Sequence, residues 1–370
     1  MNVDPNDTRL SQIYSEYRSG KQMELPSNLD SALMGKLAGR RILVTGAGSV
    51  GGKLVEQLLN YQPGQLIVAD ISEYSLHHLK RRCEELNFEG VIDFKLLDVN
   101  SIQGITDIMS SYQVDIIIHT AAYKHLPLLE SNVRRAIEVN FMGTVNLIEA
   151  ARDHGVSEMV FVSTDKAVEP TSVLGMTKLL AENYIRSQYQ DADISVNINI
   201  ARFGNVLGSS GSVVPIWEDC IKNGRPLPIS DPKAERFFLS SSQANQLILS
   251  TLLLGRGGET FAFDMGDPVR ILELAANIYQ NWKGNTLSED QIEWVGLKAG
   301  EKITERFYEQ DASLYKTDYD KVLRVKPSGL PEVYQDKINQ LKQNIPQLTE
   351  SELTQELISF SRWDKADSLK

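Results

Sequence analysis

The chain has 370 residues, 42% hydrophobic and 24% charged, which is enough apolar material for one large domain or two moderate ones. A formal net charge of −11 argues against a nonspecific binder of nucleic acid or of anionic membrane surfaces. Two cysteines, Cys83 and Cys220, are too few for a disulfide framework, and neither they nor the histidines show a metal-site spacing. No apolar stretch has the length of a membrane span and the N-terminus carries no signal-peptide run, so the expectation is a metal-free cytoplasmic protein.

Residues 1–39 are polar with scattered apolar positions and read as a helical extension that packs on the main domain or on a partner subunit. At Arg41–Thr45 the texture changes to a short, β-branched apolar run that ends in a glycine cluster. A helical pattern follows, with Val50, Leu54, Leu58 and Leu59 on one face. Residues 66–70 form the next strand, 74–86 an amphipathic helix, and 94–98, 114–120 and 159–163 further strands, with helical stretches at 102–111 and 133–154 between them. Residues 195–202 alternate and read as a sixth strand. Strands alternating with helices imply βαβ units. The predicted fold is α/β, a Rossmann-type doubly wound parallel sheet over residues 40–203. Residues 204–330 are richer in Gly, Pro and Ser and are expected to form a smaller substrate-binding lobe over the sheet's carboxyl edge, with some later segments returning to the sheet. Residues 331–370 read as a charged helical tail.

The stretch Thr45-Gly46-Ala47-Gly48-Ser49-Val50-Gly51 stands between the first strand and the first helix, the context that gives a Gly-x-Gly-x-x-Gly pattern its meaning. Gly46 allows the tight turn, Gly48 lets the backbone approach a pyrophosphate, and Gly51 lets helix and strand pack closely. Ser49 and Val50 open the helix, whose free N–H groups and positive dipole end suit phosphates. Asp70, at the end of the second strand, is placed to accept hydrogen bonds from the adenosine ribose. No arginine follows it closely, and a carboxylate repels a 2′-phosphate, so NAD is favoured over NADP. Asp98, after the third strand, either touches the adenine edge or is a turn aspartate; the sequence leaves both open.

Ser163-Thr164-Asp165-Lys166 follows the fifth strand, at the edge where doubly wound sheets bind ligands. Three adjacent polar side chains after an apolar run are costly unless solvated or used; a plain turn with a helix cap is the alternative. Downstream, Lys178 lies early in a helix and can approach the same crevice as Lys166. Two lysines beside an oxidised nicotinamide depress each other's proton affinity, and a neutral lysine can act as a base.

Residues 163–182 (STDKAVEPTSVLGMTKLLAE) resemble the polysaccharide-biosynthesis branch of the extended short-chain dehydrogenase/reductases, which contains the UDP-N-acetylglucosamine 4,6-dehydratases. Residues 119–125 (HTAAYKH), Asn140, 202–215 (RFGNVLGSSGSVVP), 236–238 (RFF) and 300–302 (GEK) agree with it in order, so the likeness covers about three quarters of the chain. The resemblance implies a nucleotide sugar as substrate, most simply a UDP sugar, and a homo-oligomer. It implies that NAD+ oxidises C4, that water is lost across C5–C6, and that hydride returns to C6. In that scheme Asp165 is the acid at the C6 oxygen, Lys166 the base at C5, Thr164 a hydrogen-bond partner of the C4 oxygen, and Lys178 a ligand of the nicotinamide ribose. Val99, Ala121, Ala122, Lys124 and Asn140 join the cofactor site. Lys124, His125, Asn205, Arg236, Lys298 and Glu301 join the substrate pocket, with Arg236 pairing with the diphosphate; for each, a surface charge or a satisfied loop residue is the plain alternative.

Three positions depart from the family pattern. Leu174 stands where the superfamily usually has a tyrosine four residues before the lysine, which argues against a simple epimerase or reductase and for members that retain configuration at C5. The group that deprotonates the C4 hydroxyl is then open between Asp165, Lys166 and water. The glycine loop is one residue short, and Lys298-Ala299 replaces Arg-Pro, keeping the charge but not the bidentate fork. The competing readings are a nucleotide-sugar epimerase or keto-sugar reductase, and a non-catalytic NAD-binding protein.

Overall fold

The computed structural model describes residues 14, 15, 17, 18, 26–86, 90–189, 194–327 and 334–366; the remainder of the expected N-terminal extension and the ends of the tail lie outside them. The helices are α1 (Ser27–Leu37), α2 (Ser49–Leu58), α3 (Glu73–Glu85), α4 (Ile102–Tyr112), α5 (Gly143–Asp153), α6 (Val173–Ser187), α7 (Val213–Lys222), α8 (Ser241–Leu254), α9 (Ile271–Lys283), α10 (Tyr334–Asn344) and α11 (Glu350–Ala366). The main sheet is built from β1 (Arg41–Thr45), β2 (Gln65–Asp70), β3 (Ile92–Leu96), β4 (Ile116–His119), β5 (Glu158–Thr164), β6 (Asn197–Phe203), β7 (Thr260–Phe263), β8 (Ser313–Lys316) and β9 (Val322–Lys326).

Strand order is β8-β9-β7-β6-β5-β4-β1-β2-β3. The β3-β2-β1-β4-β5-β6 core is all parallel, with Ile42 level with Ile116 and Leu66, and is the doubly wound order of dinucleotide-binding folds. Strand β7 continues it in parallel, while β9 and β8 close the edge antiparallel. The central strands are apolar without a break because helices cover both faces. Alternate residues still divide between them. Leu43, Ile67, Ile117, Met159, Phe161 and Ile198 join the core under α4, α5 and α6. Ile42, Val44, Leu66, Val68, Ile118 and Val160 join the core under α1, α2 and α8. A third core, around Trp217, Leu227, Phe238 and Ile278, belongs to the lobe beyond the carboxyl edge.

The helix expected at 133–154 is broken. It runs Val133–Ile137, widens to a π-turn at Glu138–Met142, and resumes as α5. Inserting a residue into the ladder in this way re-aims the side chains around it, and Asn140 is buried there. No helix among the described residues is long and apolar enough to cross a membrane.

Candidate active site

The glycine loop packs as tightly as its sequence suggests. Gly46 has φ 94°, and a Cβ there would stand 2.5 Å from Thr120 Oγ1 and 2.7 Å from the Ala121 nitrogen. A Cβ on Gly51 would stand 1.8 Å from the Gly46 carbonyl oxygen. At Gly48, by contrast, a Cβ meets nothing within 4 Å, so the space outside this glycine and before the first turn of α2 is open to an anion. Asp70 fastens the loop: Oδ2 accepts from the Ala47 N–H at 2.6 Å and Oδ1 from the Ser72 N–H at 2.7 Å, and each oxygen keeps a lone pair for a ribose hydroxyl. Ser49 Oγ instead meets the 207–212 loop, accepting from the Ser210 N–H at 2.8 Å, and Val50 packs on the core below.

Asp98 takes the turn arrangement, its Oδ1 accepting from the backbone and side-chain nitrogens of Asn100. Val99 is buried against Gly143, where a Cβ would come within 2.5 Å of Val99 Cγ2. Asn140 was expected to bind the cofactor; its amide is spent within the protein. Oδ1 accepts from the Tyr123 N–H at 2.8 Å, and Nδ2 donates to the Tyr123 carbonyl at 3.1 Å and to Thr177 Oγ1 at 3.3 Å. It thereby pins the loop holding Ala121, Ala122 and Lys124 to α6. His119 is sealed between the Thr45 and Thr144 hydroxyls, and burial pushes its pKa down to about 3, so it is a neutral strut.

At the end of β5 the chain makes a single 3₁₀ turn, Asp165–Ala167. Asp165 is fully buried. Its Oδ1 accepts from Thr164 Oγ1 at 2.9 Å and from Lys166 Nζ at 3.0 Å, while Oδ2 accepts nothing. Space beside Oδ2 is kept by Gly204, whose absent Cβ would lie 3.1 Å away. Lys166 Nζ also donates to Asn205 Oδ1 at 3.1 Å and lies 3.8 Å from Glu305 Oε1. The turn is braced by α6, because Gly175 has no side chain: a Cβ there would be 2.1 Å from the Lys166 carbonyl oxygen. Leu174 is buried on the same helix.

Lys178 carries its ammonium 3.9 Å above the Phe161 ring. Burial pushes its pKa down to about 7, against the opposing pull of Glu182. The sequence reading attributed such a depression to a second lysine; desolvation is the cause. Glu182 itself belongs to a closed cluster behind the site. It accepts from Ser163 Oγ and from Arg202 Nε and Nη2, and these bonds hold its carboxyl below the usual range despite burial.

The outer residues are more dispersed. Lys124 and His125 are exposed, with His125 against Gly211 of the 207–212 loop. The Lys298 N–H donates to Glu301 Oε2 at 3.1 Å, closing that loop on itself, and Thr171 Oγ1 donates to the Gly300 carbonyl at 3.1 Å, tying it to the start of α6. Arg236 is buried, and its Nη1 donates to the Glu235 and Ile303 carbonyls at 2.8 and 3.0 Å, leaving only the rest of its fork for a diphosphate.

Sequence reading missed Glu305, which is buried beside Lys166. The sequence Thr-Glu-Arg-Phe-Tyr over 304–308 carries no alternation that marks it; only in the structure is Glu305 in phase with inward-facing Phe307. A charge on the inward side of such a pattern is costly unless paired.

The polysaccharide biosynthesis protein family matches residues 42–327. Capsular polysaccharide biosynthesis protein CapD of Staphylococcus aureus is 36% identical over 305 residues, 81% of this chain and 50% of CapD, so the chain spans about half the length of that relative. The inverting UDP-N-acetylglucosamine 4,6-dehydratase of Campylobacter jejuni is 30% identical, over 78% of this chain and 84% of that protein. A UDP-glucose 4-epimerase of Rickettsia typhi is 29% identical over the same share of each. Among solved structures, the dTDP-glucose 4,6-dehydratase DesIV of Streptomyces venezuelae, with NAD and TYD bound, has a TM-score of 0.63 at 21% identity, covering 87% of this chain and 96% of that one.

Proposed function

Because this chain belongs to the polysaccharide biosynthesis protein family, we propose that it is an NAD-dependent nucleotide-sugar 4,6-dehydratase acting on a UDP-N-acetylglucosamine-type substrate. The observation that carries the reading is the Asp165–Lys166 pair, an acid and an amine 3.0 Å apart with one buried carboxylate oxygen that accepts no hydrogen bond. Buried polar atoms are almost always partnered, so this unmet oxygen is one that a proton or a ligand group can meet.

The residues present suit a dinucleotide. The open face of Gly48 and the start of α2 would take the diphosphate, Asp70 the adenosine ribose, and Lys178 the nicotinamide ribose. When bound, NAD+ supplies reversible hydride acceptance at C4 of the sugar and donation at C6. The rest falls to the chain. A proton passing along the Lys166–Asp165 hydrogen bond leaves a neutral amine and a neutral carboxyl. The amine takes the C5 proton, acidified by a neighbouring ketone, and the carboxyl protonates the departing C6 hydroxyl, so water leaves and the ion pair is restored; the C4 hydroxyl's proton passes to solvent as the hydride leaves, and a solvent proton returns to C5 once C6 is reduced. Acid and base act on adjacent carbons, which their separation suits. Thr164, bonded to Asp165, steadies the acid and faces the C4 oxygen, and Asn205 orients the amine. In this reading residues 204–330 supply the sugar pocket. Leu174 cannot exchange a proton, and its place in the motif resembles family members that retain configuration at C5, which favours a C5-retaining outcome.

The test is incubation with UDP-N-acetylglucosamine and NAD+ in heavy water. The expected product is a 4-keto-6-deoxy sugar, 18 mass units lighter before deuterium uptake, as loss of one water requires, with solvent deuterium at C5 and no net NADH. An isomer of unchanged mass would establish a 4-epimerase instead, and NAD binding without turnover of any nucleotide sugar a non-catalytic protein.

A further inference from the structure

Lys166 is held from two sides. Asp165 Oδ1 is one flank, at 3.0 Å. The other is Glu305 Oε1, at 3.8 Å, from a segment 139 residues further along the chain. Glu305 is 2% exposed, and its Oε2 lies 3.2 Å from Lys302 Nζ yet accepts no hydrogen bond. Lys302 in turn donates to the Val168 carbonyl at 2.7 Å, just past the Asp165–Ala167 turn. Four charges therefore alternate in a short row of buried carboxylates and partly exposed lysines: Asp165, Lys166, Glu305, Lys302. The outer lysine is fixed to the same turn that carries the inner one. A carboxylate is not buried in such a position for packing alone, since burying it costs several kcal/mol unless its partners are well placed.

We propose that Glu305 is a positioning residue for Lys166, giving the amine a second buried carboxylate to hold it, while Lys302 ties Glu305 to the Asp165–Ala167 turn. This rests on the dehydratase reading for its consequence in catalysis. It extends that reading by giving the base a second carboxylate, one that need not touch the substrate. After the amine has taken the C5 proton, Glu305 stabilises the resulting ammonium, so elimination is favoured over return of the proton to C5. The other titratable groups on α6 and β6, the elements packed against the turn, are Lys178, Glu182, Tyr184 and Arg186 of α6 and Arg202 of β6. Glu182 and Arg202 are paired with each other, and Lys178 stands over Phe161.

The experiment titrates Lys166 in the full-length protein with NAD bound, by carbon NMR of labelled lysine assigned through Lys166→Arg. Glu305→Gln keeps the shape and removes the charge. The titration midpoint of Lys166 is expected to fall by about one pH unit or more, the scale of one opposite charge at this range. Lys302→Gln removes the cation beyond and is expected to move the midpoint the other way. In turnover, Glu305→Gln moves the acid limb of the pH profile down in step with the lysine and slows water loss more than C4 oxidation, so that NADH accumulates; Glu305→Asp restores part of the rate. A merely structural glutamate would lower activity at every pH alike and leave the lysine midpoint in place, and that result overturns the proposal. If Glu305→Gln does not fold, Glu305→Asp decides in the same titration: a carboxylate drawn back by one methylene should lower the Lys166 midpoint part of the way, and an unmoved midpoint overturns the proposal. If the wild type transforms no nucleotide sugar, the dehydratase reading fails while the lysine titration still decides the role of Glu305.

Discussion

Two buried charge clusters flank the β5–β6 seam, and they differ in one respect. In the Glu182–Arg202 cluster the carboxylate oxygens are met by Ser163 and by two nitrogens of the guanidinium, which also donates to the Phe307 carbonyl. In the Asp165–Lys166–Glu305 cluster two carboxylate oxygens, Asp165 Oδ2 and Glu305 Oε2, accept nothing. The carboxylates of both are buried, while Lys166 is partly exposed where Arg202 is not. The first is complete without a ligand and the second is not, so burial by itself does not distinguish a structural ion pair from a working one; the count of unmet lone pairs does.

That difference is easiest to break by substitution. Asp165→Asn should lower turnover by about 10²- to 10⁴-fold, the range of positioned acid and base groups, with little loss of stability because it removes a buried charge that is only partly met; Lys166→Met should lower turnover as far but leaves Asp165 buried without its cation, so Asp165→Asn is the variant that separates the two measurements. A thermal melt beside a product assay checks both halves. A melt that collapses with the activity would put this cluster in the same class as its neighbour. Arg202→Met should do the reverse. It leaves Glu182 buried without its cation, a change that costs about 3–5 kcal/mol, read as a lowered urea midpoint. Residual folded protein should still bind NAD.

Gly175→Ala tests the contact between the working turn and its support. The new methyl would fall 2.1 Å from the Lys166 carbonyl oxygen, backbone that cannot swing aside. Overpacking of this kind costs about 1–3 kcal/mol. Here the displacement lands on the turn that aims Lys166, so activity should fall further than stability accounts for. Equal loss in the two measurements would mean that α6 gives way and the turn does not.

How much of this was legible in the sequence depends on whether a feature is local. The strands and the glycine loop were, because β-branched runs and glycines act within a few residues, and the doubly wound order followed from alternation of elements. Asp165 and Lys166 were legible as a pair because they are adjacent. Asn140 was picked out, but its bonds to Tyr123 and Thr177 were not legible: the π-turn at Glu138–Met142 that aims it at Tyr123 has no short-range sequence signature, and it interrupted a pattern that read as one helix. Glu305 was passed over in favour of Glu301, its neighbour in the more conspicuous Gly300-Glu301-Lys302 motif. Which glutamate meets Lys166 depends on how the 302–307 segment runs beside Glu235, a pairing between residues far apart in the chain. Arg236 illustrates the same limit, since its tie to the Ile303 carbonyl is tertiary.

Lys178 offers the smallest effect and the finest comparison, because it is buried like Arg202 yet has no carboxylate in hydrogen-bond contact. Burial holds its pKa near 7, so in the free protein the ammonium is lost as pH rises through neutrality. A bound dinucleotide brings ribose oxygens and a diphosphate, both of which favour the ammonium, so the bound state holds the proton to higher pH. Binding then takes up a proton above pH 7, and affinity weakens as pH rises, by at most about tenfold per unit for one coupled proton. Calorimetry in buffers of different ionisation heat counts that proton. The uptake should be larger with NADH, whose ring lacks the positive charge of NAD+, and absent in Lys178→Met. Proton release, or affinity that ignores pH, would mean that Lys178 faces only the Phe161 ring and that the nicotinamide ribose is held elsewhere.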